Sequence, residues 1–187
     1  IRLMRNGDII EDVFDVILLN VRVPEERRGD YLAQIAANRL GERRLQELFQ
    51  RWSVAQLRAG SDALVEAVAR RMRAGITTLP DGEYRFCDII DDDGMGTEKI
   101  PICVRVVVDG EEILFDFTGS GPQVQGNINV SYAGLQASVL FALKVLVDPE
   151  GPTNHGMLDP VRIMAETGSI TNAVFPAATA ARAQTCQ

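Results

Sequence analysis

The sequence predicts an α+β fold: N-terminal long helices, then an antiparallel β meander with a buried helix. Three observations carry this. Apolar residues recur every three to four positions through the first part of the chain. Beyond Pro80 they alternate with polar ones, and Asp109-Gly110 separates two alternating runs. The charge changes at the same place. Residues 1–73 hold 13 Arg against 11 Asp or Glu, whereas residues 74–187 hold 6 basic and 15 acidic residues. Gly75 and Thr77-Thr78-Leu79-Pro80-Asp81-Gly82 punctuate the change. The chain therefore divides into a helical segment, 1–75, and a mainly β segment, 76–187.

In the helical segment, Val13, Phe14, Ile17 and Leu18 mark one face of a first helix over 12–20. Pro24 suits a first helical position, and Glu25 and Glu26 complement the positive end of the helix dipole. Gly29-Asp30 leaves two readings: one helix runs through, or Asp30 caps a fresh helix reaching Trp52. Its apolar face is Tyr31, Leu32, Ile35, Leu45, Leu48, Phe49 and Trp52. Ser53 and Gln56 form a capping box for another long helix, which Arg70, Arg71 and Arg73 close, with Gly75 as a left-handed stop. The two long helices are expected to pack as an antiparallel pair.

In the β segment, Tyr84, Phe86 and Ile90 face one way and Glu83, Arg85 and Cys87 the other. Ile100 to Val108 and Ile113 to Phe117 supply two more period-two faces, which completes a three-stranded meander. Residues 131–147 read as a helix apolar on most sides and buried, and 160–165 as a further strand.

At 46% hydrophobic, 24% charged and a net charge of −7, the composition is that of a globular protein, not a disordered or collagen-like chain. The acidic balance argues against a nucleic-acid partner. The longest apolar run, Tyr132 to Val147, contains Gln136 and Lys144 and falls short of the ~20 residues a bilayer needs, so no membrane partner is expected. Cys87, Cys103 and Cys186 form no CxxC pair, which fits a cytoplasmic location, and the two in strands are expected to act as small apolar residues. The chain opens at Ile1 without Met, and it reads as a piece of a longer polypeptide.

Few residues stand out as chemistry. Asp91-Asp92-Asp93-Gly94 lacks the alternation of a calcium loop and reads as a solvated turn. Thr118-Gly119-Ser120-Gly121-Pro122 lacks the Lys of a phosphate loop. It reads as a chain reversal, or as backbone facing a substrate. Asp116, Thr118, Gly119, Ser120, Asn127 and Asn129 are the candidate pocket residues. Asp116 lies on the face opposite Phe115 and Phe117. His155, the single histidine, lacks a second ligand at metal-binding spacing, and one His argues against a complete nucleophile–His–acid triad. No metal ligand is assigned. Asn38, Arg39 and Glu42 interrupt an apolar helix stripe, which predicts a buried or interfacial hydrogen-bond network, a subunit contact or a cleft wall.

Longer motifs carry a resemblance. Arg22-Val23-Pro24-Glu25-Glu26-Arg27-Arg28-Gly29-Asp30 is followed by Ala33-Gln34-Ile35-Ala36-Ala37-Asn38-Arg39-Leu40-Gly41-Glu42-Arg43-Arg44. Phe115-Asp116-Phe117-Thr118-Gly119-Ser120-Gly121-Pro122-Gln123-Val124-Gln125-Gly126-Asn127-Ile128-Asn129 comes next, then Leu146-Val147-Asp148-Pro149, Asn154-His155-Gly156 and Pro160-Val161. In this order they resemble the hydantoinase B/oxoprolinase family over nearly the whole chain.

The resemblance implies an internal segment of a B-type subunit that works with a hydantoinase A-like ATPase subunit or domain. The ATPase activates a carbonyl or enolate, and the B-type subunit helps complete the chemistry on a small substrate. One branch opens cyclic amides such as hydantoins or 5-oxoproline, and this ATP-dependent amidohydrolase is the principal expectation. The alternatives are a ketone carboxylase of the acetone or acetophenone type and a non-catalytic assembly segment. ATP and a divalent metal belong to the complete enzyme. The family's Asp/His-rich metal motif lies upstream of Ile1, so no cofactor is expected on this segment. The Asp116–Asn129 motif is expected to approach the site. Arg22, Asn38, Arg39 and Glu42 are the candidate interface residues. His155 departs from the acidic residue often found in that family turn.

Overall fold

The computed structural model describes residues 1–186, which form two compact units that divide between residues 59 and 60. The division falls within a helix, upstream of the point where the charge balance changes.

The first unit opens with a hairpin of β1 (Met4–Arg5) and β2 (Asp8–Ile9). Asn6 and Gly7 turn it with φ of 52° and 92°, as a two-residue hairpin loop requires. Asn-Gly was the available signal for this hairpin, which the helical periodicity of the segment obscures. Helix α1 (Glu11–Leu19) and helix α2 (Pro24–Phe49) follow. Of the two readings at Gly29-Asp30, the uninterrupted helix is the one adopted. Phe14 of α1 is fully buried, edge-on to Tyr31 at 6.0 Å between ring centroids, with the Arg28 guanidinium 5.5 Å from its ring centre.

The expected apolar face of α2 is a correction. Only Ile35 is buried, and Leu45, Leu48, Phe49 and Trp52 are exposed. The reason is length. Twenty-six residues of helix extend about 39 Å, against about 14 Å for α1, so most of α2 has nothing in its own unit to lie on.

Helix α3 (Val54–Ile76) begins with the expected capping box. The Ser53 amide donates to Gln56 Oε1 at 2.9 Å, and the Gln56 amide to Ser53 Oγ at 3.3 Å. Gly75 does not stop this helix. It lies inside the last turn, and a Cβ there would sit 2.8 Å from Val147 Cβ, so the residue serves close helix approach. The anticipated antiparallel helix pair is formed within neither unit.

The second unit holds a four-stranded sheet in the order β3 (Gly82–Asp92), β4 (Glu98–Asp109), β5 (Glu112–Asp116), β6 (Val161–Met164). The first three strands are the expected meander, with Tyr84 opposite Val106 and Val106 opposite Phe115. β6 instead pairs parallel to β5, with Phe115 opposite Ile163. Helix α4 (Tyr132–Val147) lies in the connection between them, so β5, α4 and β6 form a crossover unit. The main core joins Val108 and Ile113 of the sheet, Val68, Met72 and Ile76 of α3, and Leu135, Val139 and Leu143 of α4. A smaller cluster of Ile100, Val124, Ile128 and Ile170 holds the loop after β5.

Two expectations in this unit are corrected. α4 is buried on one face only, and Phe141, Val145 and Leu146 on its other side are exposed. Apolar composition hid a one-sided helix because both sides are greasy. Cys87 and Cys103 are not independent apolar residues. The strand register sets them directly opposite, 4.1 Å apart at Cα, and they are joined as a disulfide.

Candidate functional site

The end of β5 and the loop that leaves it carry the six residues singled out as a pocket. Period two puts Asp116 on the outer face of the sheet, away from the core face that holds Phe115. Asp116 is buried. It accepts from Arg105 Nη2 at 2.9 Å and from the Thr118 amide at 3.0 Å. Hydrogen bonds from Thr118 and then from the Arg105 guanidinium hold its carboxyl below the usual carboxylate range despite burial. Arg105 also lies 3.5 Å from Glu83, which in turn accepts from Arg85 Nε at 2.6 Å.

Ser120 is buried and fastens the loop to β4. Its hydroxyl accepts from the Cys103 amide and donates to the Cys103 carbonyl, both at 3.0 Å. Asn129 has no exposed surface. Its Oδ1 accepts from the Val124 amide at 2.8 Å, and its Nδ2 donates to the carbonyls of Val124, Gly126 and Ala178, each at 2.9 Å. Thr118, Gly119 and Asn127 are exposed, with Gly119 at φ 95°. The six residues therefore split into two groups. Asp116, Ser120 and Asn129 build the loop, while Thr118, Gly119 and Asn127 face outward. They do not converge on one of the cavities found among the described residues.

Asp93 is a fastener of this loop that sequence reasoning missed, and the solvated-turn reading is corrected for it. It is buried, and its Oδ1 accepts from the amides of Met95 at 2.8 Å and Thr97 at 2.9 Å, while Oδ2 accepts from Gly126 at 3.0 Å. A Cβ on Gly126 would fall 2.1 Å from the Asp93 carbonyl oxygen, so glycine is required for this contact. Burial alone would push the carboxyl up. The Thr97, Gly126 and Met95 amides outweigh it and hold the pKa at about 2. The signal in the sequence was the Asp-Gly-x-Gly spacing of an Asx turn. Because the folded value lies below the ordinary 3.8, the ionised group stabilises the fold above that value, and this contribution is lost as pH falls toward about 2. Asp93→Asn should therefore flatten the acid limb of the stability curve between about pH 4 and pH 2. Parallel acid-unfolding curves for the two proteins would contradict this.

An apolar groove of about 570 Å³ lies between the inner sheet face and α4, lined by Phe86, Val104, Phe115, Phe117, Leu135 and Val139 among others. None of the six loop residues lines it. His155 is exposed and borders a second hollow of about 470 Å³ with Asp62, Glu66 and Asp159. Its neighbours carry the structural role. Asn154 Nδ2 donates to the Leu64 carbonyl of α3 at 3.2 Å, and Asn154 Oδ1 accepts from the Gly156 amide at 2.8 Å. Among the described residues, no three His, Cys, Asp or Glu side chains are placed to hold a metal ion.

Asn38, Arg39 and Glu42 form no buried network among the described residues of this chain, which leaves the interfacial reading of them. Arg22, Asn38, Arg39 and Glu42 are all exposed. Arg39 Nη2 donates to the Gly7 carbonyl at 2.6 Å and so ties α2 to the β1–β2 turn. Asn38 and Glu42 are not desolvated, because no element of the unit covers that part of α2.

Comparison with known proteins gives the chain its context. The subunit beta of caprolactamase from Pseudomonas jessenii is 35% identical over 181 residues, covering 95% of this chain and 30% of that protein. The crystal structure of the ATP-dependent caprolactamase from Pseudomonas jessenii superposes with a TM-score of 0.82 at 32% identity, over 97% of this chain and 31% of that one. The nucleotide-free structure of an acetone carboxylase superposes with a TM-score of 0.83 at 14% identity, over 97% of this chain and 26% of that one, and shares the fold. This chain thus spans about a third or less of the relatives it matches. No helix among the described residues is long and apolar enough to cross a membrane. The profile of the hydantoinase B/oxoprolinase family matches residues 1–187 from end to end, and the chain belongs to that family.

Proposed function

We propose that this chain is part of the B-type subunit of a cytoplasmic, ATP-dependent amidohydrolase that opens small cyclic amides such as hydantoins or 5-oxoproline. The end-to-end family match is the observation that carries this reading, and the caprolactamase likeness supports it. The partner in this reading is a hydantoinase A-like ATPase subunit or domain. The exposed side chains of Arg22, Asn38, Arg39 and Glu42 on and before α2 suit contacts to it or to the rest of the subunit.

In this reading, residues 117–130 form a wall of the reaction cavity. Asp116, Ser120, Asn129 and Asp93 hold the wall by hydrogen bonds to its own backbone and to neighbouring strands. Asn127 and the backbone at Gly119 present polar groups outward, where a donor stabilises charge gathering on a carbonyl oxygen as its amide bond is attacked. ATP supplies carbonyl activation in the complete enzyme, and a divalent metal belongs there too. In this reading the part of these residues is to shape the site and bind substrate.

The test uses the full-length subunit with its ATPase partner. Hydantoin or 5-oxoproline should stimulate ATP hydrolysis and be opened without bicarbonate. Turnover of ketones only, and only with bicarbonate, would replace this reading with the carboxylase branch, which shares the fold. Asn127→Ala should lower kcat by about tenfold or more with an unchanged thermal midpoint. Full activity in that variant would remove the loop from the site.

A further inference from the structure

The cysteine pair is not used by the proposed chemistry, yet it sits against the loop that is. Cys87 lies on β3, the edge strand of the sheet, and is exposed, whereas Cys103 on β4 is half-buried. The register places them opposite each other, flanked by the Arg85–Arg105 and Ile89–Pro101 pairs. Both backbone polar groups of Cys103 are bound to the Ser120 hydroxyl, which places Cys103 between the edge strand and the Thr118–Pro122 turn. A covalent tie at this point therefore fixes β3 to the strand that anchors the loop.

We propose that Cys87 and Cys103 are a reversible thiol–disulfide modification site that exchanges with small disulfides of the glutathione type. The Cys87 thiolate, the more accessible of the two, attacks one sulfur of glutathione disulfide. The glutathione S–S bond breaks, a Cys87–glutathione mixed disulfide forms, and one glutathione thiolate leaves. The Cys103 thiolate then attacks Cys87 Sγ and expels the second glutathione thiolate. The two protons lost by the cysteines end on the two glutathione thiols, and the two electrons the cysteines give up in forming their disulfide reduce glutathione disulfide to those thiols. The reverse sequence, driven by excess glutathione, restores both thiols. This inference rests on the cytoplasmic location proposed above, where a disulfide with one cysteine exposed on an edge strand is of the regulatory kind. The oxidised state clamps the edge strand, and the reduced state leaves it held without a covalent tie, by the ladder hydrogen bonds and side-chain contacts such as Glu83–Arg105.

The experiment treats the full-length subunit, in complex with its partner, with glutathione disulfide or with glutathione, blocks free thiols with N-ethylmaleimide and maps the peptides by mass spectrometry. The expected result is a linked pair of peptides containing Cys87 and Cys103 after oxidation, and two blocked cysteines after reduction. In Cys103→Ser, Cys87 should retain one glutathione, because no second thiol displaces it. Amide exchange in residues 83–91 should be slower in the oxidised form. Blocked thiols at both positions after oxidation would overturn the site. A Cys103→Ser subunit that takes up no glutathione would overturn the assignment of the attacking sulfur. Equal exchange rates in both states would overturn the clamp.

Discussion

Asn129→Ala is expected to destabilise the full-length subunit by about 3 kcal/mol or more, the largest loss of any single side chain in the loop. The side chain is fully buried and its amide serves four backbone groups. Removing it leaves the Val124 amide and the carbonyls of Val124, Gly126 and Ala178 without this partner, in a space that alanine does not fill. Each buried polar group left unpaired costs about 1–3 kcal/mol. Asn129→Asp distinguishes lost hydrogen bonds from lost volume. It keeps the acceptor for the Val124 amide but sets a carboxylate against three carbonyl oxygens, so it should be no better than alanine. Urea unfolding of the three proteins checks this, and an aspartate variant as stable as the parent would contradict it.

Gly156→Ala should be nearly as damaging, by about 3 kcal/mol, for a reason unrelated to conformational freedom. A Cβ there would stand 2.1 Å from the Val65 carbonyl oxygen and 3.0 Å from the Ala69 amide nitrogen, both on the backbone of α3. Neither atom can rotate away, so the turn at Asn154–Met157 must lift off the helix. That movement stretches the Asn154 bond to Leu64 and uncovers Met157, which is buried in the main core. Gly29→Ala is the matched control. It lies within α2 with nothing within 4 Å of the added methyl and should stabilise the protein by about 0.5–1 kcal/mol. Thermal midpoints moving in opposite directions for the two substitutions are the expected result. A Gly156→Ala midpoint equal to the parent's would show that the contact is not held.

The contrast explains what the sequence could reveal. The capping box at Ser53 and Gln56 joins residues three apart, and the meander follows from alternation plus Asp109-Gly110, so both were legible. The face assigned to Asp116 followed from period two alone. What escaped depends on partners distant in the chain. The parallel place of β6 beside β5 bridges a crossover. The Cys87–Cys103 bond needs a register that no local pattern fixes. Asp93 binds the amide of Gly126, 33 residues away, and Asn129 the carbonyl of Ala178, 49 residues away. Backbone atoms leave no residue type to recognise, so a loop that is stapled from within looks like one that is open. The resemblance singled out that loop, but only its folded contacts separate its fasteners from its outward groups.

The crossover from β5 through α4 to β6 has a consequence for how such a protein diversifies. The segment from 117 to 130 departs from the carboxyl end of a strand in a parallel pair, the position from which α/β proteins reach their ligands. Its fastening points at Ser120, Gly126 and Asn129 belong to the frame, and Val124 and Ile128 to the smaller core cluster, while Thr118, Gly119 and Asn127 belong to neither cluster and face outward. Such a stretch behaves as an exchangeable cassette. Its outward positions can be rewritten one by one, and the greasy scaffold beneath never registers the edit.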